Sequence, residues 1–224
     1  MTHANEPEIR GVLFDLDGTL VHNMPYHIAA WIELGRELGI ELTAERIQRE
    51  FSGRLNDEIL RGVLGLKLSD DDVLIWAERK EVRYRELYAP HLKLLAGADA
   101  LLDRLRARGI ACGIASAAPG ANRAFVLDGV GLRARVDGIV GGEEVTRGKP
   151  APDLFLEGAR RIGVRAGDVL VFEDAVLGVQ AGRAAGMRVC GITTAEPAES
   201  LLAAGAFATA SDFGVLPDVV TRLL

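Results

Sequence analysis

Two carboxylates two residues apart, Asp15 and Asp17, close the apolar run Val12-Leu13-Phe14 and precede the turn Gly18-Thr19. Acids spaced this way can divide one reaction between them. One carboxylate can act as a nucleophile. Its neighbour can give a proton to the leaving group and later take one from an incoming water or alcohol. The same residues also fit an Asp-Gly turn in which Asp17 caps a following helix, so the rest of the chain has to decide between the two uses.

Two further segments stand in the same relation to apolar sequence, and a third supplies a lysine. Ser116 ends Ile110-Ala111-Cys112-Gly113-Ile114-Ala115, and Glu173-Asp174 ends Val169-Leu170-Val171-Phe172. Lys149 lies in Arg147-Gly148-Lys149-Pro150-Ala151-Pro152-Asp153, a proline-stiffened loop before a predicted helix. Each has an ordinary alternative: Ser116 as a cap for the helix after Pro119, Lys149 as a solvated surface lysine, Glu173-Asp174 as a pair favoured by a helix dipole. Their recurrence at strand ends favours one shared rim. Four carboxylates in one crevice repel and are driven toward their protonated forms, and a single lysine does not balance them. A hard divalent cation does. With no His or Cys in the set, the donors predict Mg2+ over tetrahedral zinc. Cation and lysine together suit a phosphoryl group attacked by Asp15, with Asp17 as acid/base and Ser116 donating to a phosphoryl oxygen.

The elements that must position these groups follow from the hydrophobic pattern. Short apolar runs bounded by turn residues predict buried strands at 12–14, 110–115, 138–140, 169–172, 187–192 and 206–209. Helical spacing between them, at 98–108, 122–127, 153–162, 177–185 and 217–223, predicts βαβ units and a parallel sheet. Ligands of such sheets lie beyond the carboxyl ends of the strands. Residues 22–92 break this alternation. Ile28, Ala29, Trp31, Ile32, Leu34, Gly35 and Leu38 recur at helical spacing. Thr43 and Asn56 read as N-caps of helices through Phe51 and over Ile59–Leu64, and Ser69 opens a longer helix through Tyr84. The expected fold is α/β: a core of residues 1–21 and 93–224 with a parallel sheet flanked by helices, plus an all-helical insertion over 22–92.

Composition narrows the partners. Acids outnumber bases 32 to 26 and the net charge is −6, with no basic run, which argues against nucleic acid or an anionic membrane. Cys112 and Cys190 each sit inside a strand-like run and read as small buried hydrophobes. No apolar span suits a bilayer crossing, and the polar start MTHANEPEIR is unlike a signal peptide. The expectation is a soluble, cytoplasmic monomer acting on a small molecule.

Asp15-Leu16-Asp17-Gly18-Thr19, Ser116 after its strand, Lys149 in Gly-Lys-Pro-Ala-Pro-Asp, and Glu173-Asp174 before Ala-Val-Leu-Gly-Val-Gln-Ala-Gly resemble the four motifs of the haloacid dehalogenase-like superfamily. The resemblance spans nearly the whole chain. It implies a Rossmann-like core, Asp15 as nucleophile and Asp17 as acid/base. It also implies Mg2+ held by Asp15, the Asp17 carbonyl and Asp174, with Glu173 assisting, and a type-one cap in the helical insertion.

Within that superfamily the chain is most similar to the β-phosphoglucomutase-like group. Pro25-Tyr26-His27, with Trp31 one turn later, matches the start of that group's cap and implies that His27 supports the acid/base aspartate. Ala77-Glu78-Arg79-Lys80 aligns with the segment whose lysine reaches the sugar phosphate, and Gly53-Arg54-Leu55-Asn56-Asp57-Glu58 with the cap's specificity loop. The resemblance therefore places His27, Gly53, Arg54, Asn56 and Lys80 at the substrate, together with Thr19 and Ala117. A hydrogen-bonded structural histidine and a surface lysine are the alternatives for His27 and Lys80. Asn56 stands where the mutases carry an arginine for the non-transferred phosphate, and His22 where many related phosphatases carry an acid.

A mutase must hold both ends of a bisphosphate, so the departure at Asn56 favours hydrolysis. The expected activity is Mg2+-dependent hydrolysis of small phosphorylated metabolites, sugar phosphates foremost, through an aspartyl-phosphate. The alternative is β-phosphoglucomutase. A haloacid dehalogenase needs neither Asp17 nor a metal cluster, and a phospho-receiver-like signalling domain needs no helical insertion, so both fit the chain less well.

Overall fold

Val12, Leu13 and Phe14 lose all solvent exposure in the computed structural model, which describes residues 8–51 and 54–224. They form β1 (Gly11–Phe14) inside a six-stranded sheet. The other strands are β2 (Ala111–Ser116), β3 (Gly138–Gly141), β4 (Val169–Glu173), β5 (Arg188–Ile192) and β6 (Ala208–Ala210). Their order is β3-β2-β1-β4-β5-β6, and every pairing is parallel. Strands covered on both faces read as unbroken apolar runs rather than alternating ones, which is the pattern of residues 12–14 and 169–172.

Because β1 lies between β2 and β4, the chain works outward to β3 and then crosses back to the other side of β1. Such a reversal opens a crevice at the carboxyl ends of the central strands. Phe14 pairs with Ile114 on one side and with Phe172 on the other. The Asp15 N–H still donates to the Phe172 carbonyl at 3.0 Å, so regular pairing runs one residue into the crevice.

The frame beneath is stiff. Phe14 stacks on Phe172 with ring centroids 5.3 Å apart, and Phe213 meets the two edge-on at 5.8 and 5.1 Å. Each fully buried aromatic contributes roughly 1.5–3 kcal/mol. Around the sheet run α4 (Ala98–Ala107), α5 (Gly120–Gly129), α6 (Asp153–Arg161), α7 (Val176–Ala184), α8 (Ala198–Ala203) and α9 (Asp218–Thr221). The short α8 carries too few apolar repeats to be read from sequence, and α9 is shorter than its pattern predicts. Burial pushes the thiols of Cys112 and Cys190 up to about 12, so both are the inert small hydrophobes expected of them.

The chain divides into two compact units, Met1–His22 with Lys93–Leu224, and Asn23–Leu92. The second is helical: α1 (Met24–Glu37), α2 (Ala44–Phe51), a π-helical turn over Glu58–Val63, and α3 (Asp70–Tyr88). Its caps follow the sequence in two places. Thr43 Oγ1 accepts the Arg46 N–H at 3.2 Å, and Ser69 forms a reciprocal capping box with Asp72. Asn56 does not cap. It is itself helical, and its amide donates to Glu81 of α3 at 2.8 Å, while Glu58 takes the Leu55 N–H at 3.0 Å. A buried carboxylate has more to gain from a donor than a solvated helix end has. Trp31, Leu34, Ile47, Phe51 and Leu60 form the core of this unit, with Trp31 edge-on to Phe51 at 5.1 Å. Among the described residues no helix is long and apolar enough to cross a membrane.

Candidate active site

The strand ends deliver their groups to one place. Asp15, Glu173 and Asp174 each offer a carboxylate oxygen within 4.8 Å of the other two, and all three are buried. Lys149 Nζ donates to Asp15 Oδ1 at 2.6 Å and to Glu173 Oε2 at 2.8 Å. The loop that brings the lysine there is closed by Arg147, whose guanidinium grips the first residue of α6, Asp153, at 2.6 and 3.1 Å. Ser116, the last residue of β2, is buried, and its Oγ accepts the Ala118 N–H at 3.1 Å. That use leaves the hydroxyl proton available to a ligand, and it replaces the helix-cap role: α5 begins without a side-chain cap. Asp17 follows on the Asp15 turn and is half-buried, and Ala117 is exposed beside Ser116.

Burial and mutual repulsion act on the acids of the cluster. Burial pushes Glu173 up to about 7, with Asp15 adding to the rise and Lys149 opposing it. Burial likewise drives Asp174 well above the usual carboxylate range, reinforced by Glu173 and Asp15. Burial alone would lower the Lys149 ammonium, but Asp15 and Glu173 outweigh it and hold the lysine above its ordinary value. Three buried acids facing one lysine favour a further cation, and an oxygen-only donor set suits a hard divalent ion. The residues present fit Mg2+.

Further residues shape the cluster. Thr19, wholly buried, donates from Oγ1 to Asp174 Oδ1 at 3.1 Å, so its hydroxyl orients a candidate metal ligand. Gly18 takes a left-handed conformation (φ +80°), and a side chain there would overlap the Asp174 carboxylate. Thr194, in the loop after β5, donates to the Gly18 carbonyl and ties down the same turn. Nothing in the sequence around Thr194 signals this. Gly178, whose bare position leaves room for the Glu173 carboxylate, is different, because a glycine inside a helix is unfavourable and hints at a close approach.

The remaining sequence-derived residues lie in the helical unit. Gly53 falls outside the described residues. Arg54 is exposed, and its Nε donates to the Glu50 carbonyl at 2.9 Å. Lys80 is not a surface lysine: it is buried, donating to Glu81 Oε1 at 2.9 Å and facing His27 Nδ1 at 2.8 Å. His27 stacks on Tyr84 at 3.7 Å, and Tyr84 in turn accepts the Asn23 amide at 2.7 Å. Burial, and then the Lys80 ammonium, hold His27 well below its usual pKa, so the ring is neutral at pH 7.

Comparison with known proteins agrees with this geometry. The family model for haloacid dehalogenase-like hydrolases matches residues 9–186. The chain is 33% identical to the fructose-1-phosphate phosphatase YqaB of Escherichia coli (strain K12), over 79% of this chain and 93% of that protein. It is 28% identical to the beta-phosphoglucomutase of Bacillus subtilis (strain 168), over 84% of this chain and 85% of that one. Among solved structures it superposes with a TM-score of 0.87 and 28% identity on a HAD hydrolase of family IA, variant 3, from Entamoeba histolytica, covering 96% of this chain and 99% of that one.

Proposed function

Because the chain belongs to the haloacid dehalogenase-like hydrolase family, we propose that it is an Mg2+-dependent phosphatase of small phosphate esters, sugar phosphates foremost. The observation that carries this reading is the placement of Lys149 between Asp15 and Glu173, at the mouth of a buried acid cluster. Asp15, Glu173 and Asp174, with the Asp17 carbonyl, would hold the ion, which when bound screens the charge of the phosphoryl oxygens.

The chain's own residues then divide the work. Lys149 and the Ser116 hydroxyl orient the phosphoryl group and neutralise its oxygens. A carboxylate oxygen of Asp15 attacks phosphorus; the bond from phosphorus to the ester oxygen breaks, and Asp17 protonates the departing alkoxide. Asp17, now a carboxylate, takes a proton from water. The water oxygen bonds to phosphorus, the aspartyl-phosphate opens, and phosphate leaves with Asp15 restored.

Substrate selection is assigned to the helical unit Asn23–Leu92. There, Lys80 and Asn56 both engage Glu81, and Arg54 engages a backbone carbonyl. Side chains committed in this way favour a substrate with one phosphate over a bisphosphate held at both ends. The alternative reading, β-phosphoglucomutase, draws on the Bacillus relative.

A panel of phosphate esters offered with and without Mg2+ tests the assignment. Phosphate release and the isomerisation of β-glucose 1-phosphate are followed in parallel. Hydrolysis that requires Mg2+ is expected, and Asp17→Asn should lower kcat by about 10²–10⁴ with a smaller change in KM. Isomerisation faster than hydrolysis would replace the phosphatase by the mutase.

A further inference from the structure

Arg123 of α5 is a buried cation outside the acid cluster. Its Nη1 donates to the Ala118 carbonyl at 2.8 Å and to Glu143 Oε2 at 3.1 Å, and its Nη2 donates to Glu143 Oε1. The Ala118 N–H is the group that donates to Ser116 Oγ. On this side the guanidinium therefore secures the 116–118 loop, one hydrogen bond from the Ser116 hydroxyl.

Glu143 lies on a different segment. It belongs to the short turn Gly142–Glu144 that follows β3 and continues toward Lys149. Glu144 closes that turn by accepting the Gly141 N–H at 2.8 Å, and Arg147 pins its far end to Asp153. The backbone makes room for the ion pair: a side chain at Gly141 would overlap both the guanidinium and the Glu143 carboxylate. The same turn approaches the Ser116 loop directly, since a Cβ on Gly142 would lie 3.3 Å from Ala117 Cα.

We propose that the Arg123–Glu143 pair is a clamp that sets the separation of the two phosphoryl-oxygen donors, Ser116 and Lys149, by tying their loops together. The proposal rests on the phosphatase reading above. Arg123 contacts neither donor directly, so it is a positioning residue. Its planar fork grips a carbonyl and both oxygens of a carboxylate at once, which a lysine cannot reproduce. A loop left to drift by a fraction of an ångström loses complementarity to a tetrahedral anion.

Inorganic phosphate is the probe, because its binding reports on the donors without turnover. Calorimetry in saturating Mg2+ compares wild type with Arg123→Met, Arg123→Lys and Glu143→Gln, and esterase kinetics and the Mg2+ requirement are measured beside it. In Arg123→Met, phosphate affinity and 1/KM are expected to fall about tenfold or more. Arg123→Lys should restore only part of this, and adding Glu143→Gln to Arg123→Met should make it no worse. The Mg2+ concentration for half-activation should move less than phosphate affinity does, because the residues that would hold the ion stand at the ends of β1 and β4, outside the two clamped loops. Unchanged phosphate binding in folded Arg123→Met overturns the clamp. If that variant does not fold, unchanged binding in Glu143→Gln, altered on a largely exposed side chain, does the same. A loss of kcat or of Mg2+ response with phosphate binding intact also overturns it, since that marks general disruption. A wild-type protein that neither binds phosphate nor hydrolyses any ester overturns the phosphatase reading itself, and the clamp with it.

Discussion

The carboxylate of Glu173 occupies the space that a side chain on Gly178 would need. Gly178 lies in the first turn of α7, and Glu173 is the last residue of β4, so the helix approaches the acid only because that position is bare. The carboxylate is held further by the Ala175 N–H at 3.3 Å and by Lys149. Gly178→Ala should therefore displace Glu173 rather than merely stiffen α7. Changes just outside a metal's ligands typically cost about 10–100-fold in affinity or activity, and a loss of Mg2+ affinity in that range is expected by calorimetry. Circular dichroism should show the helices intact. Unaltered Mg2+ binding would mean that Glu173 has no part in holding the ion.

The pH dependence of stability offers a separate check. Glu173 holds its proton up to about pH 7 when folded, against 4.5 in the unfolded chain, and Asp174 is raised in the same sense. Between those values the native state binds more protons than the unfolded one. Stability contributed by Glu173 is therefore present at low pH and lost as pH rises from about 4.5 through about 7. Mg2+ competes with those protons. The rise in Tm on adding Mg2+ should be small at pH 5.5 and large at pH 8. Groups elsewhere that titrate in this window affect both arms alike, so the difference isolates the cluster. An Mg2+ effect of equal size at both pH values would contradict the assignment.

The candidate site at the sheet's rim is more legible in the sequence than the pairings of the helical unit, for a physical reason. A buried parallel strand writes its boundaries locally: the apolar run Val12-Leu13-Phe14 stops at Asp15, and Val169-Leu170-Val171-Phe172 stops at Glu173, because there the side chains leave the apolar core and enter the buried acid cluster. Side-chain pairings between helices leave no such mark. Asn56 and Glu81 are 25 residues apart, and nothing near either one names the other. A cap was the natural local reading of Asn56, and a buried carboxylate overrode it. The burial of Lys80 against Glu81 is equally invisible, since the residues around it leave a substrate-reaching lysine and a surface lysine both open. Thr19 shows an intermediate case: its place in the motif is plain, but its hydroxyl reaches Asp174 across 155 residues of sequence. Gly178 was legible in principle, as a helix-interior glycine that propensity alone disfavours.

His27 should fail to behave as an ordinary histidine. Its Nδ1 faces the Lys80 ammonium at 2.8 Å, the Tyr84 ring stacks against it, and the Glu81 carboxylate is 4.0 Å away. Burial and Lys80 lower its pKa, so the folded ring stays neutral while the unfolded chain takes up a proton below about 6.5. The stability this confers is present above pH 6.5 and lost as pH falls below it. Ring resonances followed by NMR should stay fixed between pH 8 and 6. Lys80→Met removes the second cause and leaves burial, so the midpoint should move upward. A native midpoint near 6.5 would show that the ring is solvated.

Lys80 and Glu81 form a buried ion pair, each less than 5% exposed and joined at 2.9 Å. Breaking such a pair from one side leaves a charge in a low-dielectric interior, at a cost of about 3–5 kcal/mol. Replacing both partners by apolar residues of similar volume is often neutral or stabilising. Glu81→Leu should thus lower the stability of the helical unit by about 3–5 kcal/mol, and Lys80→Met combined with it should recover most of the loss. Both tryptophans of the chain, Trp31 and Trp76, lie in this unit, so urea unfolding followed by their fluorescence reports on it directly. Asn56 and His27 give the measurement its edge, because each loses a partner in the double variant. If charge balance dominates, the double variant regains wild-type stability despite those losses. If it stays as weak as Glu81→Leu alone, the neutral contacts of Asn56 and His27 hold the unit together and the ion pair does not.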